Sequence, residues 1–423
     1  MRPARTARVR RKPILAILVL CLGAMAVAEP ASASTGIPTS SVFQGVATTP
    51  LTAASTTFAP IPAWDAEYMT QATSITQADA VAQARSFGWI AAGNSRMYTP
   101  WITDMKTANP NLKILMYVGA TAVGVGKTLP DGYYAHDSAG NRIQLRDWPV
   151  YQMEPSSSGW RSYVASRCTS LLTTSGYDGC FFDQLGPAPL NIGYVTGIPV
   201  NPATGNKYTT PEWLAQTSAL AASVGASVAP KPVIVNGLTG GQAYFDTVAP
   251  TSQLTSGVTG GMAELWLRGP TTPVTTYGTE ANWKKSVDML TDAANRSRTV
   301  VTTTKLWLSG VSQAQMDAWH EYALSSFLLG EVPGRSFFEF MWTGTSQITG
   351  HPWWKIHIGS PVGAYVKTPS GAYERDFQGG KVFVNPSTAS TSTITLDKAY
   401  TTLQGTTVTS LTLAPHRAKI LLG

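Results

Sequence analysis

Four acids of this 423-residue chain stand where apolar runs end: Asp65 after "FAPIPAW", Asp183 in "GYDGCFFDQLG", Glu264 in "GGMAELW" and Glu339 in "SFFEFMW". An acid in that position either caps a buried run or is presented at its mouth. Two carboxylates presented across a bond can break a glycosidic link. One protonates the leaving oxygen while the other attacks the anomeric carbon or activates a water. Asp183 and Glu264 form the candidate catalytic pair, and Asp65 and Glu339 are candidates for holding substrate. The break into Leu-Gly-Pro after Asp183 predicts that the chain turns away and leaves this acid uncovered. Asp178, on the far side of Gly-Cys-Phe-Phe, belongs to the opposite end of the run as a turn or cap residue.

These acids need strands to carry them. Eight apolar runs read as strands: 58–64, 87–93, 113–119, 179–184, 232–237, 260–266, 299–307 and 336–342. Helical patterns such as "RSYVASRCTSLL", "PEWLAQTSALAASV" and "ANWKKSVDMLTDAANR" lie between them. Eight strands with interposed helices predict an α/β fold, a (β/α)8 barrel over residues 58–358, whose active site gathers at the C-terminal strand ends. An open doubly wound sheet is the competitor, but "GATAVGVGKT" lacks the spacing of a phosphate loop. From residue 359 helical periodicity disappears, and Thr- and Val-rich runs with regular turn signals predict a C-terminal β-sandwich over 359–423. This sandwich reads as a structural cover, having no convincing aromatic strip.

The termini and composition narrow the function. "MRPARTARVRRKP", an apolar "ILAILVLCLGAMAVA" and "ASA" read as a secretory signal peptide over 1–33, followed by a flexible lead-in over 34–57. The net charge of +7 is largely that leader, with six basic residues among its first twelve. What remains is nearly neutral, which gives no support to nucleic-acid binding. A low-charge chain with 13 Trp and 16 Tyr suits a carbohydrate, because aromatic faces stack on sugar C–H faces. The expectation is an exported, extracellular monomer, free of the membrane once the leader is removed. Five scattered His residues without an HExxH pattern, and the absence of GxSxG, leave no case for a metal, a cofactor or a serine nucleophile.

Cys168 and Cys180 remain after the leader. Helical and strand periodicities turn both toward the layer between helix and sheet, as a disulfide or as two buried thiols, with the disulfide preferred in an exported chain. The connection over 119–158 is long for a barrel loop. In it Tyr133, Tyr134, Trp148 and Tyr151 are candidates to stack on sugar, and Arg142, Arg146 and Asp147 to bond hydroxyls. Asn236, ending the fifth run, and Arg268, just past the sixth, complete the candidate binding set.

"YYAHDSAGNRIQLRDWPVYQMEPSSSGWRSYV" followed by "GYDGCFFDQLG", with the later "GGMAELWLRG" and "YERDFQGGKVFVNPS", resembles the poorly characterised glycosyl hydrolase family numbered fifteen among the hydrolase-like groups, which is distinct from the glucoamylases. The resemblance covers roughly residues 60–423 and implies a barrel related to the retaining alpha-glycosidases. In those, an Asp ending strand four is the nucleophile and an acid ending strand six is the acid/base. Carried over, Asp183 is the nucleophile and Glu264 the acid/base. The departure is Glu264, where the galactosidase-like group has Asp. A retaining enzyme holds its carboxyl groups roughly 5–5.5 Å apart and an inverting one roughly 6.5–9.5 Å. Met262, Leu265 and Trp266 beside Glu264 predict an apolar setting that keeps it protonated, as an acid must be. The alternative is a catalytically inactive carbohydrate-binding or cell-wall-associated barrel, in which one of the two acids is buried against an Arg instead of facing the other across an open cleft.

Overall fold

The computed structural model describes residues 60–70, 72–93, 96–342 and 348–423. The leader at 1–33, the lead-in at 34–57 and the first two residues of the 58–64 run lie outside the described residues. Eight strands form one parallel sheet: β1 (Trp64–Asp65), β2 (Trp89–Ala92), β3 (Lys113–Gly119), then, after the hairpin β4 (Ala122–Gly124) and β5 (Val150–Gln152), β6 (Gly179–Asp183), β7 (Val233–Asn236), β8 (Gly260–Ala263), β9 (Thr299–Leu306) and β10 (Ser336–Trp342). A parallel bridge between Ala63 and Phe338 joins the last strand to the first, with the Phe338 N–H donating to Pro62 at 2.9 Å. The expected barrel is borne out.

Helices α1 (Gln77–Ser86), α2 (Ile102–Ala108), α3 (Ser158–Ser175), α4 (Thr210–Val228), the single turn α5 (Gly241–Tyr244), α6 (Glu280–Asn295) and α7 (Gln313–Gly330) lie between the strands. Local chemistry sets their ends. Thr209 with Glu212, and Ser312 with Gln315, form capping boxes that satisfy the first free N–H groups of α4 and α7. Gly176 at φ 76 ends α3 in the left-handed region and sends the chain into β6.

Strand alternation divides the core in two. Leu115, Tyr117, Phe181, Ile234, Met262, Val301, Phe337 and Met341 fill the barrel interior with Trp64 and Tyr68. Their neighbours, such as Met116, Phe182, Val235, Val300 and Phe338, face the helices. Cys168 of α3 and Cys180 of β6 are joined by a disulfide in that outer layer.

The C-terminal strands β11 (Val366–Lys367), β12 (Tyr373–Phe377), β13 (Gly380–Asn385), β14 (Ser392–Thr402), β15 (Thr407–Leu413) and β16 (Arg417–Leu422) make a separate antiparallel sheet in the order β11-β12-β13-β16-β14-β15. Val382, Val384, Ala418 and Ile420 pack with the barrel's outer layer, while Phe383, Leu411, Leu413 and Leu421 form a second small core on the other face. Arg375 fastens the two parts together. Its Nη1 donates to the carbonyls of Leu328, Leu329 and Glu331 at the end of α7, at 2.9, 2.9 and 2.8 Å, which satisfies acceptors that a helix end otherwise leaves open.

Candidate active site

The ends of β6, β7 and β8 carry the site. Asp183 is the last residue of β6, Asn236 the last of β7, and Glu264 follows β8. The Asn236 side-chain nitrogen donates to Asp183 Oδ1 at 2.8 Å and to Glu264 Oε2 at 2.5 Å. An amide nitrogen has two hydrogens, so one goes to each carboxyl group. The nearest oxygens of the two acids are therefore no further apart than these two bonds laid end to end. Asp183 also accepts from Tyr117 Oη (2.8 Å, Oδ2) and from the Gln184 N–H (2.8 Å, Oδ1).

Both acids are enclosed, Asp183 fully and Glu264 at 5% exposure. Burial, and then the neighbouring charge of Glu264, push Asp183 up to about 7, against the pull of its three donors. Glu264 meets something its apolar neighbours do not announce. Its Oε1 is ion-paired with Nζ of Lys305, a fully buried residue of β9. The expectation of an apolar setting is corrected accordingly. The sixth strand end supplies Met262 and Trp266, but the adjacent strand brings an ammonium, which is a partner for a carboxylate.

A cavity of about 100 Å³ opens beside the pair. Asp183, Gln184, Asn236, Thr239 and Glu264 supply its polar wall, and Gly186 to Pro189, Tyr194, Gly237 and Leu265 complete it. The Leu-Gly-Pro break therefore does not carry the chain away. The segment after β6 folds back as one wall, and Gln184, at φ 67, starts that return with its backbone held by Thr121 at 2.6 Å.

The other expected binding residues are placed differently. Asp65 bonds Gln83 of α1 at 2.8 Å beside Glu67, and is not in the cavity wall. It follows inward-facing Trp64, and alternation turns it to the helix side. Glu339 faces the interior, but its two oxygens are taken by the Ala66 N–H (3.3 Å) and Thr303 Oγ1 (3.0 Å), so it seals the seam between β10 and β1. Burial lifts Glu339 to about 8.

Within the 119–158 connection the aromatics pack on their own surroundings. Tyr133 meets the edge of Trp160, and Tyr134 is buried under the Arg142 guanidinium with its hydroxyl on Lys127. Arg146 donates to the Ile192 carbonyl at 2.7 Å and Trp148 packs 5.8 Å from the Tyr194 ring, so both brace the cavity wall from behind. Arg268 lies over Trp319, 4.5 Å from the ring centre, and donates to the Gly269 and Thr272 carbonyls; it is not part of the wall.

Thus Asp183, Asn236 and Glu264 come together, and Asp65, Tyr133, Tyr134, Arg268 and Glu339 do not join them. Sequence reasoning passed over Tyr117, Lys305, Gln184 and Tyr194. For the first two the signal was present. Alternation from Leu115 puts Tyr117 inward, and alternation from Val301 does the same for Lys305. Among the described residues, no group of three or more His, Cys, Asp or Glu is placed to hold a metal ion, and no helix is long and apolar enough to cross a membrane.

An eight-stranded parallel barrel with two carboxylates converging at its C-terminal mouth is the architecture of the barrel glycoside hydrolases. The family model described as hypothetical glycosyl hydrolase family 15 matches residues 106–381, and the chain belongs to that family. Among solved structures it is similar in fold to Amy13B of Eubacterium rectale, with 11% identity and a TM-score of 0.50 over 86% of this chain and 97% of that one. It is also similar to a noncanonic maltogenic alpha-amylase, AmyB, from Thermotoga neapolitana (11% identity, TM-score 0.47, 86% of this chain and 96% of that one). A third is the glycoside hydrolase domain of PelA from Pseudomonas aeruginosa (13% identity, TM-score 0.40, 66% of this chain and 95% of that one). At these identities the likeness is one of fold. No curated protein matches the chain.

Proposed function

We propose that the protein is an exported glycoside hydrolase that cleaves a poly- or oligosaccharide with retention, Asp183 acting as nucleophile and Glu264 as acid/base. The observation that carries this reading is the single Asn236 amide bonded to both carboxyl groups. Carboxyls bridged by one nitrogen belong with the short spacing of retaining enzymes, since the wider one leaves room for a water between them. Three donors on Asp183 suit a nucleophile, because they hold the carboxylate in place before the sugar arrives. In the first step the Glu264 proton passes to the glycosidic oxygen, the bond from that oxygen to C1 breaks, and an Asp183 oxygen bonds C1. In the second, water attacks C1, gives its proton to Glu264, and releases Asp183. Export rests on the basic and apolar leader of the sequence.

The experiment is hydrolysis of a panel of plant, fungal and bacterial-wall glycans by the chain and by Asp183→Asn, Glu264→Gln and Glu339→Gln. Loss of roughly 10³-fold or more in kcat/KM in the first two, with Glu339→Gln active, is the expected result. A second reading, a carbohydrate-binding barrel without catalysis, is favoured by one observation: Glu264 is buried against Lys305. Glycan binding without cleavage by the chain and by all three variants would establish it.

A further inference from the structure

We propose that Lys305 is a positioning residue of this site, the buried counter-ion that lets Glu264 carry a negative charge inside the barrel and so pass a proton in both directions. The inference rests on the reading of Glu264 as acid/base, but its decisive test does not require turnover.

Lys305 stands on the inward side of β9, two residues beyond Thr303 and four beyond Val301, whose side chain lies in the interior core. It is fully enclosed, is not part of the cavity wall, and bonds Oε1 of Glu264, which leaves Oε2 to Asn236 and the cavity. Its ammonium also lies 4.7 Å from the centre of the Trp307 ring. Besides Glu264, the titratable group that feels its charge is Glu339 from β10, while Glu264 itself is felt by Asp183 from β6, Tyr117 from β3 and Tyr68 from the turn after β1. Asp183 and Glu339 are both pushed upward by burial. A carboxylate set among them without a cation would be a buried, repelled charge.

The mechanism makes that charge unavoidable. When Glu264 hands its proton to the glycosidic oxygen it becomes a carboxylate, and it stays one until water returns a proton. Lys305, already in place, stabilises this state without reorganising. Because Lys305 does not reach the cavity, it acts through Glu264.

The test is thermal melting of the full chain and of its Lys305→Met, Lys305→Arg and Glu264→Gln/Lys305→Met variants at pH 5 and pH 8. At the lower pH a buried carboxyl that has lost its counter-ion can take up a proton, so Lys305→Met should melt near the parent chain. At pH 8 it should melt about 5–10 °C below it, as expected for a buried charge stripped of its partner. Lys305→Arg should recover most of that loss, and the double variant should lose the pH dependence. If Lys305→Met fails to fold while the double variant folds, the defect is traced to the uncompensated Glu264 charge and the inference stands. An equal loss at both pH values, or a double variant that keeps the pH-dependent loss or does not fold, assigns Lys305 to packing alone and overturns it. Absence of glycan cleavage by the parent chain would instead sink the acid/base reading, and with it the proton-transfer role, whatever the melting shows.

Discussion

Asn236 accepts no substitute easily, because its nitrogen must face two acceptors at once. Asn236→Asp would replace the shared donor with a third carboxylate, and Asn236→Ala would leave two buried acids facing each other. We expect Asn236→Ala to lower kcat/KM by about 100-fold or more, because two hydrogen bonds to buried acids are lost at once. Tyr117→Phe removes one donor of three from Asp183 and should cost about tenfold in kcat/KM. Kinetics on whichever glycan the panel identifies checks both. The legibility of the two acids has a residue-level cause. A charged group closing a run as apolar as Gly-Cys-Phe-Phe carries a desolvation cost that packing alone does not explain. Lys305 was hidden because "TVVTTTKLW" already mixes Thr with Val, so a further polar residue there raised no contrast.

The strand ends impose their own constraints. Each of the three site-bearing strands is followed within a few residues by a non-glycine residue in left-handed backbone: Gln184 at φ 67 after β6, Thr239 at φ 61 after β7 and Leu267 at φ 67 after β8. Such conformations persist where the surroundings over-determine them, and they cluster at functional sites. Gly237, at φ 155, lies between Asn236 and the turn, and a Cβ there would come within 2.6 Å of the Gly186 backbone nitrogen. Gly237→Ala should therefore push apart the β6 and β7 ends, costing about 1–3 kcal/mol in denaturant unfolding together with activity. The 119–158 connection was misread at this scale. Its aromatics lacked any periodicity to say which way they face, and they pack on the hairpin, α3 and Arg142. Of its candidate binding residues, Trp148 and Arg146 brace the cavity wall from behind.

Over the whole molecule, buried titratable groups set opposing limits on stability. Burial raises Asp183 and Glu67 to about 7, Glu339 to about 8 and Glu331 to about 7. A carboxyl whose folded value is raised contributes stability that is present below its unfolded value and is lost as pH rises through the folded one. Burial lowers His320 far below its ordinary range and His351 to about 4. Their contribution has the other sign, present above the ordinary histidine value and lost as pH falls toward the folded one. Four carboxyls outweigh two histidines, so the melting temperature should fall as pH rises from about 5, by roughly 5–10 °C by pH 9 as the carboxyls are forced to ionise. Melting curves across this range check it, and a maximum above pH 8 would contradict the burial of the interior acids.

The sequence by itself determined the barrel and the pair of acids. Strand and helix periods, turn signals and an acid at the end of a buried run are local, and one chain segment carries each of them whole. It also placed Cys168 and Cys180 on facing sides of one layer. Only the tertiary structure decided which polar groups meet. Asn236 joining two carboxyl groups, Lys305 reaching Glu264 across a strand gap, Glu339 spent on closing the barrel and Asp65 turned toward α1 all depend on neighbours far apart in the chain. Such partners are chosen by register around a closed sheet, where a shift of one residue turns every side chain to the other face.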